Sequence, residues 1–212
     1  MKVLVVAAHP DDEVLGLGGT LLKHQSQNDE IFIIILSEGR NNKIDKTNNK
    51  KLSKFLGVKK YYNIGLKDQR FDTYPLTSII VKIEKIKEFV NPDIVYTHYS
   101  EDLNLDHKIC SLATLTAFRP FDQKRIKIFQ FETPSSTEIS DNNYQPFNPD
   151  FYVDIDNFYK KKIELLNKFY SKEMRKYPHP RSIEYMKSLA ILTGAKAGLK
   201  LAEGFKTIRN YY

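Results

Sequence analysis

The 212-residue sequence predicts an α/β fold in which a mostly parallel sheet carries helices on both faces and is followed by a C-terminal helical extension. Near-continuous apolar runs, such as Val3–Val6 and Ile31–Leu36, are typical of parallel strands that are buried on both faces. Between these runs lie segments with apolar residues at helical spacing, of which Thr77–Val90 is the clearest. The length suits one domain with a sizeable core, so residues 1–212 are expected to form a single domain.

The first half of the chain is expected to alternate strands and helices. In chain order the predicted elements are a strand at 2–8, a helix at 11–27, a strand at Ile31–Leu36, a short helix closing at Leu56-Gly57, a strand at Tyr61–Ile64 and a helix at Thr77–Val90. The polar stretch Asn41–Lys51 precedes the second helix, and its first half is expected to be a mobile loop.

The second half is expected to continue the alternation and to end in helices. In chain order the predicted elements are a strand at Asp93–Thr97, a helix at Asp106–Phe118, a strand at Arg125–Phe131, an ordered loop or flap at Glu138–Pro149, a last short strand at Phe151–Ile155 and helices at 157–171 and 182–203. The carboxyl ends of parallel strands share one edge of the sheet, and open α/β sheets bind their ligands there.

Three glycines stand inside the first predicted helix. Gly16, Gly18 and Gly19 each cost about 1 kcal/mol relative to alanine in a helix, which indicates close packing of the helix against a strand. Gly16-x-Gly18 with Glu38 further on superficially fits a dinucleotide fingerprint, but the glycines follow an acidic cluster instead of opening the turn after the strand. Packing is therefore the preferred interpretation.

Two clusters of histidine and acidic residues follow two of the predicted strands. His9-Pro10-Asp11-Asp12-Glu13 follows the first strand, and the segment His98–His107 follows the fourth. Taken singly, the two aspartates of the first cluster are also typical charges for the first turn of a helix. Together the two turns can direct His9, Asp12 and His107 at one point, and three such ligands with an open fourth position define a catalytic metal site. The sequence therefore predicts a metal enzyme.

Further polar groups each permit two interpretations. Asp106 either orients a ligand imidazole from behind or is an N-terminal helix charge. Asp68 and Arg70 either form a loop ion pair or contact a polar substrate. His179, in the rigid segment Tyr177–Arg181, is either a surface residue or a substrate contact.

The net charge of +7 and the single cysteine limit the classes of protein that fit. Most of the positive charge is lysine scattered along helices, which favours a solvated surface over a nucleic-acid interface, with attraction of a phosphate-bearing substrate as the functional alternative. Cys110 alone excludes an intramolecular disulfide. No apolar segment has the length of a membrane span, and Met1-Lys2-Val3 leads directly into a strand, so neither a span nor a signal peptide is expected and the expected location is the cytoplasm.

The motif A-H-P-D-D-E after the first strand and the motif D-L-N-L-D-H after the fourth together resemble the LmbE-like, or PIG-L, family of zinc-dependent N-deacetylases. The resemblance runs through most of the chain, and further similar segments are Asp68–Arg70, Phe131–Thr137, His179–Ser182 and Ala202–Phe205. It implies a Rossmann-like fold and removal of the acetyl group from an N-acetylated amino sugar of the N-acetylglucosamine type, with release of acetate. The sugar could be linked to a nucleotide, a lipid or a glycan.

The resemblance also implies roles for individual residues. His9, Asp12 and His107 match the metal ligands of the family, which would hold Zn²⁺ or Fe²⁺, and Asp11 matches its general base. The metal would polarise the amide carbonyl and lower the pKa of a bound water. Substrate contacts are expected from six polar side chains, namely Arg40, Asp68, Arg70, Glu132, His179 and Arg181.

The sequence departs from part of the family at Asn104. Many members carry a histidine here that stabilises the oxyanion or protonates the leaving group. Asparagine can donate a hydrogen bond but cannot act as a proton acid, so the candidates for the general acid are Asp11, His98 and His179.

Two other functions are compatible with the same motifs. One is a metal-dependent amidase or phosphoesterase, and the other is a catalytically inactive sugar- or nucleotide-binding member of the family, which the asparagine at position 104 favours. In each case the expected partner is a small molecule and not a nucleic acid. A homo-oligomer is compatible with the sequence.

Overall fold

The computed structural model describes residues 1–39, 46–121, 124–139 and 145–212, with only the backbone described at 46–49. Arg40, the first residues of the predicted mobile loop and part of the predicted flap therefore lie outside the described residues. The strands are β1 (Lys2–Ala7), β2 (Glu30–Ser37), β3 (Val58–Leu66), β4 (Ile94–His98), β5 (Lys127–Phe131), β6 (Phe151–Asp154) and β7 (Ala202–Arg209). The helices are α1 (Asp12–Ser26), α2 (Lys46–Leu56), α3 (Leu76–Val90), α4 (Leu105–Ala117), α5 (Tyr159–Phe169) and α6 (Ile183–Lys196), and a 3-10 turn spans Phe71–Thr73.

The strands form one sheet in the order β3-β2-β1-β4-β5-β7-β6. β1 to β5 pair in parallel, whereas β7 runs antiparallel between β5 and β6. The strand order reverses between β1 and β4, because the chain builds outward from β1 to β3 and then returns to the other side of β1. Ligands of open α/β sheets bind in the crevice at the carboxyl ends of strands that flank such a reversal. The predicted α/β fold with a mostly parallel sheet is confirmed.

Both faces of the sheet are covered by helices, as expected. Successive residues of β1 point to opposite faces, so that Val3 and Val5 join one apolar cluster and Leu4 and Val6 join the other. α1, α2, α5 and α6 pack on the first face, and α3 and α4 pack on the second. Burial on both faces explains the continuous apolar runs of β1 and β2. None of the helices in the described ranges is long and apolar enough to span a membrane.

The C-terminal region differs from the prediction. The expected helical extension is present as α5 and α6, but the helix predicted at 182–203 ends at Lys196 and is followed by β7, so Phe151–Asp154 is not the last strand. Gly198 has a φ of +69°, which is typical of the residue that ends a helix. Ala202 and Glu203, which the prediction placed in the helix, instead begin β7 and pair with Asp154 and Val153 of β6, and this pairing overrides their helix propensity.

β3 is also longer than predicted and spans Val58–Leu66 instead of Tyr61–Ile64. It is the edge strand of the sheet next to β2, and more than half of its side chains are partly or fully exposed. A half-exposed edge strand carries polar residues, so its apolar signal in the sequence is weak.

α1 is broken near its middle, where Leu17 has non-helical dihedral angles (φ −140°, ψ 25°). A buried ion pair from α5 and β7 occupies the break, with Lys162 Nζ 2.8 Å from Glu203 Oε1. Lys162 Nζ donates to the carbonyl oxygen of Leu15 (2.7 Å), and Glu203 Oε1 accepts the backbone N–H of Gly19 (2.9 Å). Backbone groups that the break would leave unpaired are thus hydrogen-bonded to charged partners, which also offsets the cost of burying the pair.

Gly16 and Gly19 allow α1 to lie directly on the sheet. A Cβ atom at Gly16 would stand 2.4 Å from Phe131 Cδ2, and one at Gly19 would stand 2.8 Å from Ile155 Cγ2. Both distances are shorter than any ordinary carbon contact, so a larger residue would push the helix away from β5 and from the chain that follows β6. The packing interpretation of these glycines is confirmed.

Candidate active site

The two predicted clusters meet at the crevice between β1 and β4. His9 Nδ1 is 3.3 Å from Asp12 Oδ2 and 3.2 Å from His107 Nε2, and His107 Nε2 is 3.4 Å from Asp12 Oδ2. The donor atoms of these three residues lie within 4.8 Å of one another, a spacing at which they could hold a metal ion. His9 follows β1, Asp12 opens α1 and His107 lies in the first turn of α4. Two strand-to-helix turns therefore produce the convergence that the sequence predicted.

The chemistry of the three residues fits a divalent metal. Two imidazole nitrogens and one carboxylate oxygen form a donor set that suits Zn²⁺ in a catalytic site, and the same donor types also bind Fe²⁺. Asp12 Oδ1 is buried and has no hydrogen-bond partner among the described residues, although an unpaired buried oxygen is costly. Oδ2 of the same carboxylate accepts the backbone N–H of His9 (2.8 Å), which fixes the side chain. Because Oδ2 lies within 3.4 Å of both imidazoles, it is the carboxylate oxygen that would bind the metal.

The electrostatics of the cluster also favour a cation. Burial disfavours protonation of both imidazoles, but contacts with Asp106 and Asp12 raise the pKa of His9 to about 10. Asp12 and Asp102 raise the pKa of His107 to about 9 in the same way. Protons on the two imidazoles thus balance the surrounding carboxylates, and a divalent cation would compete with those protons for the same nitrogen atoms.

Asp106 supports His9 and not its sequence neighbour His107. Its Oδ2 lies 3.0 Å from His9 Nε2. The backbone N–H groups of Gln69 and Phe71 donate to the same carboxylate at 2.8 and 3.1 Å, and hold it in place. Because Nε2 of His9 is engaged in this way, Nδ1 is the nitrogen left for a metal. Asp106 therefore lies behind the imidazole of His9, where it would orient that ring toward a bound metal.

Asp102 has the corresponding position behind His107 and was not among the predicted site residues. Its Oδ1 lies 3.2 Å from His107 Nδ1, and its Oδ2 accepts the hydroxyl groups of Ser136 and Thr137 at 3.0 and 2.5 Å. Burial opposes ionisation of this carboxyl, but His107 and the hydrogen bonds lower its pKa below the ordinary value. The acidic and hydroxyl-rich segments are both visible in the sequence, but no spacing links residues more than thirty positions apart.

His98 is fully buried behind the metal donors, and its ring stacks on that of His107 with 4.0 Å between centroids. Its Nε2 accepts the backbone N–H of Ala8 (2.9 Å), and its Nδ1 donates to the hydroxyl oxygen of Thr133 (3.1 Å). Burial lowers the pKa of His98 to about 4, so the ring is neutral at physiological pH. These contacts contradict the expectation that His98 is a general acid, because both ring nitrogens are engaged and the proton is held away from the crevice.

Asp11 is buried beside the donor set and is held by Arg181. Arg181 Nη1 donates to Asp11 Oδ2 at 2.9 Å, and its Nε donates to the hydroxyl oxygen of Ser135 at 2.8 Å. Burial and the neighbouring Asp12 raise the pKa of Asp11 well above its usual value, and Arg181 opposes that rise. The guanidinium expected to contact substrate is thus used to hold the carboxylate that was expected to act as the base.

Asn104 forms the N-cap of α4. Its Oδ1 accepts the backbone N–H of Asp106 at 2.9 Å, which is the hydrogen bond that a cap residue normally makes. The carbonyl end of the side chain is therefore fixed, and the amide nitrogen keeps its two N–H groups for other partners.

The remaining predicted substrate contacts lie in different places. Asp68 is partly exposed, and its Oδ1 is 3.2 Å from His9 Nε2. Arg70 is exposed at the start of the 3-10 turn. His179 is exposed as well, and its Nδ1 accepts the backbone N–H of the arginine two residues on (3.0 Å). Glu132 lines a small cavity bordered by α1, α5, α6 and β7, whose lining includes none of the proposed metal donors, and its contact with substrate stays a prediction.

Comparison with known proteins connects this site to a family. Residues 4–118, more than half of the chain, match the family described as PIG-L: GlcNAc-PI de-N-acetylase. The chain is also 28% identical over 143 residues to the uncharacterized deacetylase YaiS of Escherichia coli (strain K12), and this match covers 63% of the chain and 75% of that protein.

Solved structures share the fold over nearly the whole chain. N,N'-diacetylchitobiose deacetylase from Pyrococcus horikoshii, complexed with its inhibitor MPG, has a TM-score of 0.76 at 20% identity and covers 98% of this chain and 83% of its own. The zinc-inhibited form of teicoplanin deacetylase Orf2 has a TM-score of 0.77 at 11% identity and covers 100% of both chains. GalB, the 4-carboxy-2-hydroxymuconate hydratase of Pseudomonas putida KT2440, has a TM-score of 0.73 at 19% identity, and the match covers 100% of this chain and 97% of GalB.

Because these structural neighbours include a hydratase as well as deacetylases, their likeness at such low identity establishes the fold alone. The sequence match over residues 4–118 is the stronger finding, since it contains both motifs that supply the metal donors. The chain therefore belongs to the PIG-L, or LmbE-like, family of de-N-acetylases.

Proposed function

We propose that the protein is a metal-dependent N-deacetylase that removes the acetyl group from an amino sugar of the N-acetylglucosamine type and releases acetate. The observation that carries the proposal is the position of Asp11, next to the donor set of His9, Asp12 and His107. Membership of the PIG-L family supports the reaction class. Two structural neighbours are deacetylases whose names give diacetylchitobiose and teicoplanin as their substrates, which favours a sugar-containing substrate here.

His9, Asp12 and His107 would hold the metal, which we propose to be Zn²⁺, with Fe²⁺ as the alternative. A divalent metal supplies Lewis-acid chemistry here, because it polarises an amide carbonyl and makes a water molecule more acidic. The carboxylates behind the two imidazoles fix the orientation of both rings before a metal binds.

Asp11 is the proposed general base. As the oxygen of the attacking water bonds to the acetyl carbon, Asp11 accepts a proton from that water. Arg181 engages Oδ2 of Asp11, so we assign proton transfer to Oδ1. With His98 engaged at both nitrogens, we assign the acid step to Asp11 as well: it returns the proton to the amide nitrogen as the C–N bond breaks, which yields acetate and the free amino sugar.

Asn104 is the proposed donor to the oxyanion. Its carbonyl oxygen is fixed by the N-cap hydrogen bond, so its N–H groups have a defined direction at the N-terminus of α4. A preorganised N–H donor stabilises a developing oxyanion without carrying a charge of its own. In this assignment Asn104 has the hydrogen-bonding role of the histidine that many family members carry, but not its role as a proton acid.

Substrate recognition is proposed for the polar side chains at the outside of the crevice. Asp68 is partly exposed and adjoins His9, which suits a contact with a sugar hydroxyl group. Arg70 and His179 are exposed and remain proposed contacts, as does Arg40 outside the described residues.

The proposal is tested by measuring the metal content of the purified protein together with acetate release from a panel of N-acetylated sugars and sugar conjugates. We expect about one equivalent of metal per chain, as a three-donor catalytic site requires, and acetate from at least one member of the panel. Cleavage of phosphate esters or other amides, with the acetylated sugars intact, would assign the site to another hydrolase.

A second candidate is a catalytically inactive sugar-binding protein, which the asparagine at position 104 favours. Saturable binding of an acetylated sugar by the metal-loaded protein, without acetate release, would support it. Asn104→His would then decide whether the replaced histidine is the cause, because it restores the residue type carried by many members of the family.

A further inference from the structure

We propose that Glu13 and Tyr170 are positioning residues for Asp11, and that they set the backbone from which the proposed base projects. The inference rests on the proposed function, because Asp11 needs a fixed position only if it transfers protons in the reaction. It starts from three observations, namely a strained backbone at Asp11, a buried carboxylate next to it and a tyrosine that joins this carboxylate to the C-terminal part of the chain.

Asp11 has a backbone φ angle of 113°, a value that residues other than glycine rarely adopt. A residue keeps such a conformation only where its surroundings hold it. Its carbonyl oxygen accepts the backbone N–H groups of Val14 and Leu15 at 3.0 and 2.8 Å, as the first turn of α1 requires. Its own N–H group donates to Glu13 Oε2 at 3.0 Å, so the carboxylate two residues on holds the strained peptide.

Glu13 is fully buried, and hydrogen bonds from two tyrosines hold its side chain in place. Tyr170, directly after α5, donates its hydroxyl to Glu13 Oε1 at 2.6 Å, and Tyr61 on β3 donates to the same oxygen at 3.4 Å. Among the described residues, the three hydrogen-bond partners of this carboxylate are all donors, so both of its oxygens serve as acceptors. The strong bond comes from Tyr170, which lies outside the residues that match the family.

A purely structural role explains this arrangement poorly. A buried carboxylate costs desolvation free energy, and an apolar side chain of similar size would fill the same space at lower cost. What the carboxylate adds is a fixed acceptor for the N–H group of Asp11. Arg181 holds the side chain of Asp11 and Glu13 holds its backbone, so the base is restrained at both ends.

The test uses a matched pair of conservative substitutions in the full-length, metal-loaded protein. Tyr170→Phe removes only the hydroxyl group that anchors Glu13. Tyr96→Phe removes another buried hydroxyl group, which lies 3.0 Å from His24 Nε2 and not in the site around Asp11. Both variants are compared with the wild type in kcat and KM for acetate release, in metal content and in Tm.

We expect Tyr170→Phe to lower kcat about tenfold with KM and metal content unchanged, because small displacements of a reacting group are expensive. Tyr96→Phe should lose stability to a similar degree and keep its kcat. Glu13→Ala should lower kcat about 10²-fold, and Glu13→Gln, whose amide oxygen can still accept the N–H group of Asp11, should stay within about threefold of the wild type. Equal kcat values for Tyr170→Phe and Tyr96→Phe would overturn the proposal.

Crystal structures of the Tyr170→Phe variant and, for comparison, of the Glu13→Gln variant give a readout that does not depend on turnover. We expect the peptide of Asp11 to rotate in Tyr170→Phe and the contact between Asp11 Oδ2 and Arg181 Nη1 to lengthen, while Glu13→Gln keeps both. An unmoved Asp11 in Tyr170→Phe would overturn the proposal. Absence of acetate release by the wild type would count against the proposed function alone, and the structures would still decide the positioning role.

Discussion

The chemistry of the candidate site and its geometry come from different parts of the chain. Residues 4–118, which match the PIG-L family, contain Asp11 and all three proposed metal donors. Residues 127–212 contain groups that hold them in place, since Arg181 contacts Asp11 and the hydroxyl groups of the turn after β5 bind Asp102. A family match confined to the first part thus identifies the reaction class, whereas the assembly of the site depends on the second.

Removal of Asp11, the proposed proton carrier in the first part of the chain, should have the largest effect. Asp11→Asn should lower kcat about 10³-fold with metal content unchanged, because an amide cannot accept the proton of the attacking water. Acetate release and metal analysis of the same sample check this. Asp12→Asn is the control, since it removes a metal donor and should lower metal content and turnover together. Near-normal turnover of Asp11→Asn would remove Asp11 from the mechanism.

Removal of Arg181, which restrains Asp11 from the second part of the chain, should have the next largest effect. Arg181→Ala should lower kcat about 10²-fold and leave metal content unchanged, because Asp11 loses the group that orients its carboxylate. Arg175→Ala is the matched control, since the side chain of that exposed arginine in the same segment donates to carbonyl oxygens of its own turn. If Arg181→Ala lost metal and turnover in parallel, the second part would serve folding of the donor set instead of placement of the base.

The two supporting carboxylates offer a sharper test, because one is held by each part of the chain. Asp102→Asn and Asp106→Asn should each lower metal affinity about 10- to 100-fold, measured by competition with a chelator. Thr137→Val should reproduce part of the effect of Asp102→Asn, since Thr137 makes the shortest bond to Asp102. An unchanged affinity in Thr137→Val would show that residues after β5 do not tune the metal site.

The smallest expected effect concerns stability. Burial raises the pKa of Glu132 to about 7, so the folded protein keeps this proton at pH values where the unfolded chain has lost it. The contribution of Glu132 to the free energy of unfolding should therefore fall as pH rises from about 4.5 to 7, and Glu132→Gln should remove that part of the pH dependence. We expect the variant to match the wild type near pH 4.5 and to be more stable by about 1–2 kcal/mol at pH 8, since partial exposure reduces the full effect.

Denaturant unfolding at the two pH values measures this difference. Glu88→Gln, which changes an exposed carboxylate on α3 and leaves Glu132 in place, is the control and should keep the pH dependence of the wild type. A Glu132→Gln variant that was less stable than the wild type at pH 8 would show that the carboxylate has a stabilising partner there.

The fold class and the convergence of His9, Asp12 and His107 were predictable because their signals are local. Continuous apolar runs identify the central strands, and His9, Asp12 and His107 each stand within a few residues of a strand end. The assignment of Asp106 to the correct imidazole was not predictable in this way. Its partner His9 is 97 positions away, and only the strand order shows that β1 and β4 are neighbours.

The restraints on Asp11 were beyond sequence reasoning for the same reason. Arg181 is 170 positions from Asp11, and Tyr170 is 157 positions from Glu13. Arginine in a polar loop is typical of a substrate contact, and nothing in its surroundings indicates a carboxylate from the other end of the chain. The extent of α6 was mispredicted because helix propensity continues beyond Gly198, while the strand pairing that overrides it is a long-range property.

The place of β7 in the sheet has a consequence for the order of synthesis. β7 lies between β5 and β6, although it follows both in the chain. β6 therefore leaves the ribosome before its neighbour in the sheet exists, and α5 and α6 must be made first. Until β7 inserts, β5 and β6 each present an unpaired edge, which favours aggregation, and the break in α1 lacks Glu203. A nascent chain can thus carry every metal donor while its sheet is still open, and chaperone demand should be highest in that interval.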